Sequence, residues 1–246
     1  MNSEPVIYAM IPARIGSSRL KMKNLALING EPLIYYAIRA AKESGVFDKI
    51  IINSDHQIFS EIADRYNVGF YLRSKKLGSS TTKSDDVVAD FMHVHSQADI
   101  VSWVNTTSPF QRGSEVAQVI NYFLGEKLDS LITVETKQVH TICDGKPVNY
   151  FPDESFAQTQ DLLPIMPFVY SVMMWRTDCF IQNFTDKGHA MICGKFDVYP
   201  VNKMTAFIIK TEEDLKMVDL MMRAIYENGS KNQTAYDQLI KSVTLH

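Results

Sequence analysis

Val6-Ile-Tyr-Ala-Met-Ile-Pro-Ala-Arg-Ile-Gly-Ser-Ser-Arg-Leu-Lys-Met-Lys-Asn24 joins a compact apolar run to a loop crowded with cations. Val6 to Ile11, ended by Pro12, predicts a buried strand. Arg14, Arg19, Lys21 and Lys23 then fall within ten residues of an otherwise slightly acidic chain. Gly16, Ser17 and Ser18 are small, so the backbone there can turn sharply and offer N–H groups to phosphate oxygens. A polyphosphate needs both contributions, amides for geometry and mobile cations for charge. Arg and Lys beside a leaving pyrophosphate stabilise the transition state more than the ground state. Taken alone, such a loop reads more readily as a solvated turn with scattered charges than as a binding site. It carries neither the P-loop pattern nor a GxGxxG fingerprint.

Working outward, strands alternate with amphipathic segments. Helical spacing at Leu33, Ala37, Ala40 and Ala41 stops near Gly45, and Lys49–Asn53 holds the triplet Ile50-Ile51-Ile52 of a strand covered on both faces. A helix through Ile58, Ile62 and Tyr66, a strand near 69–72, a helix over 84–95, a strand over 100–104, a helix over 114–124 and a strand over 130–134 complete the first half. This is the pattern of an α/β fold, a mostly parallel doubly wound sheet, with its ligand beyond the carboxyl ends of the strands. The second half predicts a hairpin around Asp144-Gly145, loop over 152–167, and strands over 169–175, 196–201 and 206–209. Thr211-Glu-Glu-Asp214 reads as a capping box opening a helix with Leu215, Val218, Met222 and Ile225 on its apolar face. A terminal helix is expected after Gly229. Residues 1–246 read as one domain with an inserted arm at roughly 135–170.

Composition narrows the class. The 246 residues are 46% hydrophobic, with 25 Lys plus Arg against 28 Asp plus Glu, so a core is affordable and the basic excess of a nucleic-acid binder is missing. Cys143, Cys179 and Cys193 form no CxxC pair and read as reduced thiols. The N-terminus lacks the layout of a signal peptide, and no apolar run reaches the roughly 20 residues of a membrane span. These features predict a soluble cytoplasmic protein without membrane or nucleic-acid partners.

Several segments together resemble the CMP-sugar synthetases, the cytidylyltransferases that activate sialic acid and related nonulosonic acids. They are Ala13, Arg14, Gly16, Ser17, Lys23 and Asn24; Gly30-Glu-Pro-Leu33; Asn53-Ser-Asp55; Leu72-Arg73 with the polar run to Ser84; and Asn105-Thr-Thr-Ser-Pro109. They span roughly the first 125 residues in the family's order. Kdo synthetases share part of the first loop, but the Lys-Asn and Thr-Ser-Pro segments are more similar to the nonulosonate branch. The resemblance implies a nucleotidyltransferase (Rossmann-like) sheet, CTP and a sugar acid as substrates, and a homodimer formed through the arm. It casts Arg14 and Lys23 as catalytic cations, and Ala13, Gly16, Ser17, Arg19, Asn24, Arg73 and Ser84 as nucleotide-binding, with Arg73 and Ser84 at the pyrimidine. Asn105, Gln160 and Tyr170 fall where the acceptor sugar is expected.

The second half departs from that pattern. Two aspartates that hold Mg²⁺ in the family correspond here to Ile208 and Lys210, and an ammonium cannot ligate a hard cation. Asp55, Asp161 and Asp214 are the remaining carboxylate candidates, and the metal ligands are left unassigned. Gln111 stands where the family has an arginine, with Arg112 one place on. The sugar segments around Gln160 and Phe168–Ser171 also differ, which predicts an acceptor other than sialic acid. His140 on the arm is expected to be structural or to reach a neighbouring site, and Val172-Met-Met-Trp175 to be core or dimer interface. Two alternatives remain: a nucleotide-binding paralogue without catalysis, and a transferase of the same fold acting on a sugar or alcohol phosphate.

Overall fold

The alternation of Tyr8 and Met10 with Ala9, Ile11 and Ala13 places one set of side chains on each face of a central strand, and helices cover both faces. The computed structural model describes residues 4–16, 20–152 and 155–228. Its main sheet contains β1 (Ile7–Ala13), β2 (Lys49–Ser54), β3 (Gly69–Leu72), β4 (Ile100–Val104), β5 (Ser130–Val134), β6 (Phe168–Arg176) and β7 (Phe196–Pro200). Across the sheet these lie in the order β7-β5-β6-β4-β1-β2-β3. All neighbouring pairs are parallel except the two made by β6. The expected mostly parallel, doubly wound sheet is therefore present. The chain leaves β1 toward β2 and β3, then returns to β4 on the other side of β1, which makes the carboxyl ends of β1 and β4 a topological switch point.

Helices α1 (Leu33–Ser44) and α2 (Ile58–Tyr66) pack Ile34, Ala37, Ile38, Phe59 and Ile62 on the Ala9–Ile11–Ala13 face. On the other face α3 (Ser84–Val94) and α5 (Thr177–Lys187) bring Phe91, Met92 and Phe180 onto Tyr8 and Met10. Helix α4 (Gly113–Gly125) sets Val116, Val119, Ile120 and Phe123 against Ile7, Leu131 and Met174. Each such side chain contributes about 1.5–3 kcal/mol on full burial. The Met173-Met174-Trp175 run is core, buried throughout.

Four expectations need correction. β1 continues through Pro12 to Ala13, because its ladder to β4 stops at Met10 and a residue without an N–H is tolerated past that point. Residues 206–209 are not a strand. They follow a turn in which Asn202 Oδ1 accepts from Met204 N and Thr205 N, while the buried Glu115 carboxylate accepts from Asn202 N, Asn202 Nδ2 and Thr205 Oγ1. Helix α5 was not foreseen at all. Finally, α6 (Glu212–Asn228) buries Val218 and Met222 but leaves Ile225 exposed. Its N-terminus is capped as expected: Asp214 N donates to Thr211 Oγ1, and Asp214 Oδ2 accepts from Lys210 N and Thr211 N. The terminal helix expected after Gly229 lies outside the described residues.

Between β5 and β6 the chain leaves the sheet. Lys137 pairs with Ile165 at its base, and a hairpin of Ile142–Cys143 with Lys146–Pro147 turns through Asp144 and Gly145, both at positive φ. Asn149 ties this arm together, donating to Val139 O and Leu163 O and accepting from Thr141 N. His140 stacks on Phe156 with ring centroids 4.0 Å apart.

Candidate functional site

A cavity of about 290 Å³ opens at the switch point, over the carboxyl ends of β1, β3 and β4. Each of these strands delivers one charged or amide side chain to it from the first residue after the strand: Arg14 from β1, Arg73 from β3 and Asn105 from β4. Lys23 and Asn24 reach it from a single turn of 3₁₀ helix, Lys23–Leu25, entered through Met22 in the left-handed region at φ 47°. Ser84 joins from the first turn of α3. Ser17 and Arg19 lie outside the described residues; Ala13 is buried beneath the loop, and Gly16 is exposed beside it.

The loops are held by short polar side chains. Asn24 Nδ2 donates to Arg14 O at 3.2 Å, and Asn24 Oδ1 accepts from Thr106 Oγ1 at 2.7 Å, so one buried amide couples the loop after β1 to the loop after β4. Asp55 Oδ1 accepts from Ile15 N at 3.0 Å, and Gly78 packs so tightly on that carboxylate that a Cβ there would overlap it. Asn105 is fixed on three sides: its N–H donates to Ser171 O, its Nδ2 to Tyr170 O at 3.0 Å, and its Oδ1 accepts from Thr107 N and Thr107 Oγ1. Tyr170 itself sits at φ 59°, where the register of β6 slips, and such strain is stored where surrounding contacts enforce it.

The electrostatics are one-sided. Arg73 is only 5% exposed, donates from Nη1 to Asn53 O at 3.1 Å, and has a buried Nε with no partner. Burial pushes its pKa down; Asp55 and Asp90 oppose that shift, and neighbouring Arg14 adds to it. The guanidinium stays charged regardless. Among the described residues neither Arg14 nor Arg73 forms an ion pair, and no Asp or Glu lines the cavity. Lys23 Nζ approaches Ile209 O at 3.5 Å, and Ile209 N donates to Thr107 O, so the loop before α6 closes one side of the mouth.

The structure thus gathers Arg14, Lys23, Asn24, Arg73, Ser84 and Asn105 around one space. It does not bring Gln160 there. That residue lies exposed on the arm, donating to Gln158 Oε1. Tyr170 touches the site only through its carbonyl, and its ring packs edge-on to Phe168. Wall residues that the sequence reading did not name are Leu77, Ser79, Thr82, Val87 and Trp103. The strand alternation of Ile100–Val104 was the available signal for Trp103, since it shares a face with Val101 and none with Ser102.

Among the described residues, the carboxylates that the sequence offers for Mg²⁺ are not gathered at the cavity. Asp55 and Asp214 already accept from backbone N–H groups, Asp161 lies exposed on the arm, and positions 208 and 210 are Ile and Lys. Among the described residues no group of three or more His, Cys, Asp or Glu could hold a metal ion. No helix among them is long and apolar enough to cross a membrane.

Strand order, switch-point cavity and winding define an α/β protein of the nucleotidyltransferase type. The chain belongs to the cytidylyltransferase family, whose model matches residues 8–159. It is 27% identical over 164 residues to the N-acylneuraminate cytidylyltransferase of Streptococcus agalactiae serotype V, covering 63% of this chain and 40% of that one. It is 33% identical over 119 residues to the CMP-N,N'-diacetyllegionaminic acid synthase of Legionella pneumophila, covering 46% of this chain and 51% of that one. The chain thus spans about two fifths of the length of the neuraminate relative and half of the other. A solved CMP:2-keto-3-deoxy-manno-octonic acid synthetase complexed with CTP superposes with a TM-score of 0.69 at 16% identity, covering 89% of this chain and 98% of that one.

Proposed function

We propose that this protein transfers the cytidylyl group of CTP to a sugar acid of the nonulosonate class, releasing pyrophosphate. The observation that carries the reading is the pair Arg14 and Arg73, two neighbouring guanidiniums on one cavity that no Asp or Glu lines among the described residues. Holding like charges together is unfavourable until a polyanion fills the space. The family match and the CMP-sugar activities named for the relatives support cytidine as the nucleoside.

In this reading Arg14 and Lys23 hold the triphosphate and stabilise charge as the sugar hydroxyl attacks the α-phosphorus and pyrophosphate departs. Ala13, Gly16, Ser17 and Arg19 form the rest of the phosphate cradle, and Asn24 keeps that cradle aligned with the opposite lip. Arg73 and Ser84 read the cytosine, Arg73 donating to its O2 and N3 acceptors. Asn105 stands nearest the acceptor, with Tyr170 and Gln160 completing the sugar side when the arm or a second subunit approaches. The exposed apolar groups of the arm support a homodimer, and dependence on CTP points to the cytoplasm.

Thermal shift with CTP, UTP, ATP and GTP tests the reading: CTP should raise the melting temperature most, and an absence of CTP preference removes the cytidylyl assignment. The Ile208 and Lys210 positions favour a second reading, a non-catalytic nucleotide binder. Pyrophosphate release from CTP across a panel of keto-sugar acids separates the two.

A further inference from the structure

We infer that the cavity takes its nucleoside triphosphate as the free polyanion, with Arg14 and Lys23 at the phosphates, and Arg73 beside Arg14 at the base, together supplying the positive charge that a divalent ion would otherwise bring. This rests on the nucleotide reading above. Among the described residues, every charged one on the cavity wall is a cation, and each comes from a different position around the switch point. The nearby acids lie off the cavity wall, Asp55 among them, although its charge still acts on Arg73. Asp55 holds Ile15 N and lies against Gly78, and Asp214 holds Lys210 N and Thr211 N at the start of α6. Lys210 adds a further positive charge to the loop whose Ile209 carbonyl meets Lys23.

Coulomb attraction scales with the product of the charges, and like charges repel by the same rule. A Mg²⁺ arriving on the triphosphate cancels two of its negative charges and faces three fixed cations with no carboxylate to receive it. Hard cations take oxygen ligands, and the cavity wall provides only neutral hydroxyls and amides beyond the phosphates themselves. Charge alone therefore favours CTP over Mg·CTP.

Isothermal titration of the full chain with CTP, in EDTA and again in excess Mg²⁺, tests this directly. The expected result is affinity in EDTA at least equal to that with Mg²⁺, and up to about tenfold tighter. Lys23→Gln should weaken CTP by about tenfold or more in EDTA, the loss typical of a hydrogen bond to a charged group, and by less in Mg²⁺, where the ion replaces part of the lost charge. Binding that appears only with Mg²⁺ overturns the inference and leaves the cytidylyl reading standing. A Lys23→Gln loss that is equal in the two buffers, or larger in Mg²⁺, also overturns it. No CTP binding in either buffer removes the nucleotide reading, and this inference with it.

Discussion

The cavity lips and the arm use their side chains in opposite ways. At the lips, uncharged amides and hydroxyls are consumed by the fold, as when Asn24 bridges Arg14 O to Thr106 and Asn105 is bonded on three sides. The cations are thereby held in place while Arg14 and Arg73 remain without ion pairs. On the arm the polar groups also tie the loops, through Asn149 and Gln138, but the apolar ones face outward: Phe151 is 73%, Leu163 76% and Phe156 79% exposed. Unsatisfied charge marks the first region as a place for an anion, and uncovered hydrocarbon marks the second as a place for protein. A residue's function is legible in what the fold leaves unpaired.

That contrast can be broken at either end. The largest effect is expected at the lips: Arg14→Ala or Lys23→Ala should lower turnover by on the order of a hundredfold or more with the melting temperature little changed, because a charge stabilising the transition state is lost while packing is not. An unchanged rate in both variants removes the catalytic assignment. On the arm, Phe151→Asp combined with Leu163→Asp should convert the proposed homodimer to monomer in light scattering without unfolding the sheet. A dimer that persists sends the interface elsewhere. The smallest effect should come from Thr211→Ala, which removes the helix cap at the base of the loop closing the mouth. It should cost about 0.5–2 kcal/mol in urea unfolding and leave nucleotide affinity nearly intact, so a large loss of affinity would show that the loop belongs to the lips and not merely to the scaffold.

Strands β1 to β5 and the four helices among them were legible to within about two residues, because parallel βαβ units write their period directly into the chain. The second half was less so. Ala206-Phe-Ile-Ile209 is apolar enough for a strand, yet a distant carboxylate, Glu115, gathers Asn202 and Thr205 into a turn that forbids it. Helix α5 carries little periodic signal because, of its apolar residues, only Phe180 is buried, while Thr177 Oγ1 donates to the distant Ala98 O and Asn183 Nδ2 to Cys179 O one turn back. At the site, position after a strand identified Arg14, Arg73 and Asn105. Sequence could not show that Arg73 is buried without forming an ion pair among the described residues, nor that Gln160 is carried away on the arm, because both depend on contacts between distant segments.

One hydrogen atom sets how closely α4 packs on α1. At Gly113, the first residue of α4, a Cβ would stand 2.6 Å from the backbone carbon of Glu43 and 2.7 Å from Ser44 N, at the last turn of α1. The helix that follows the cationic loop and the helix that follows the Asn105 loop are therefore braced backbone to backbone. A methyl group at this point, on a residue that does not line the cavity, would push the two helices apart. The seat of α4 on α1 is fixed by the smallest side chain in the alphabet.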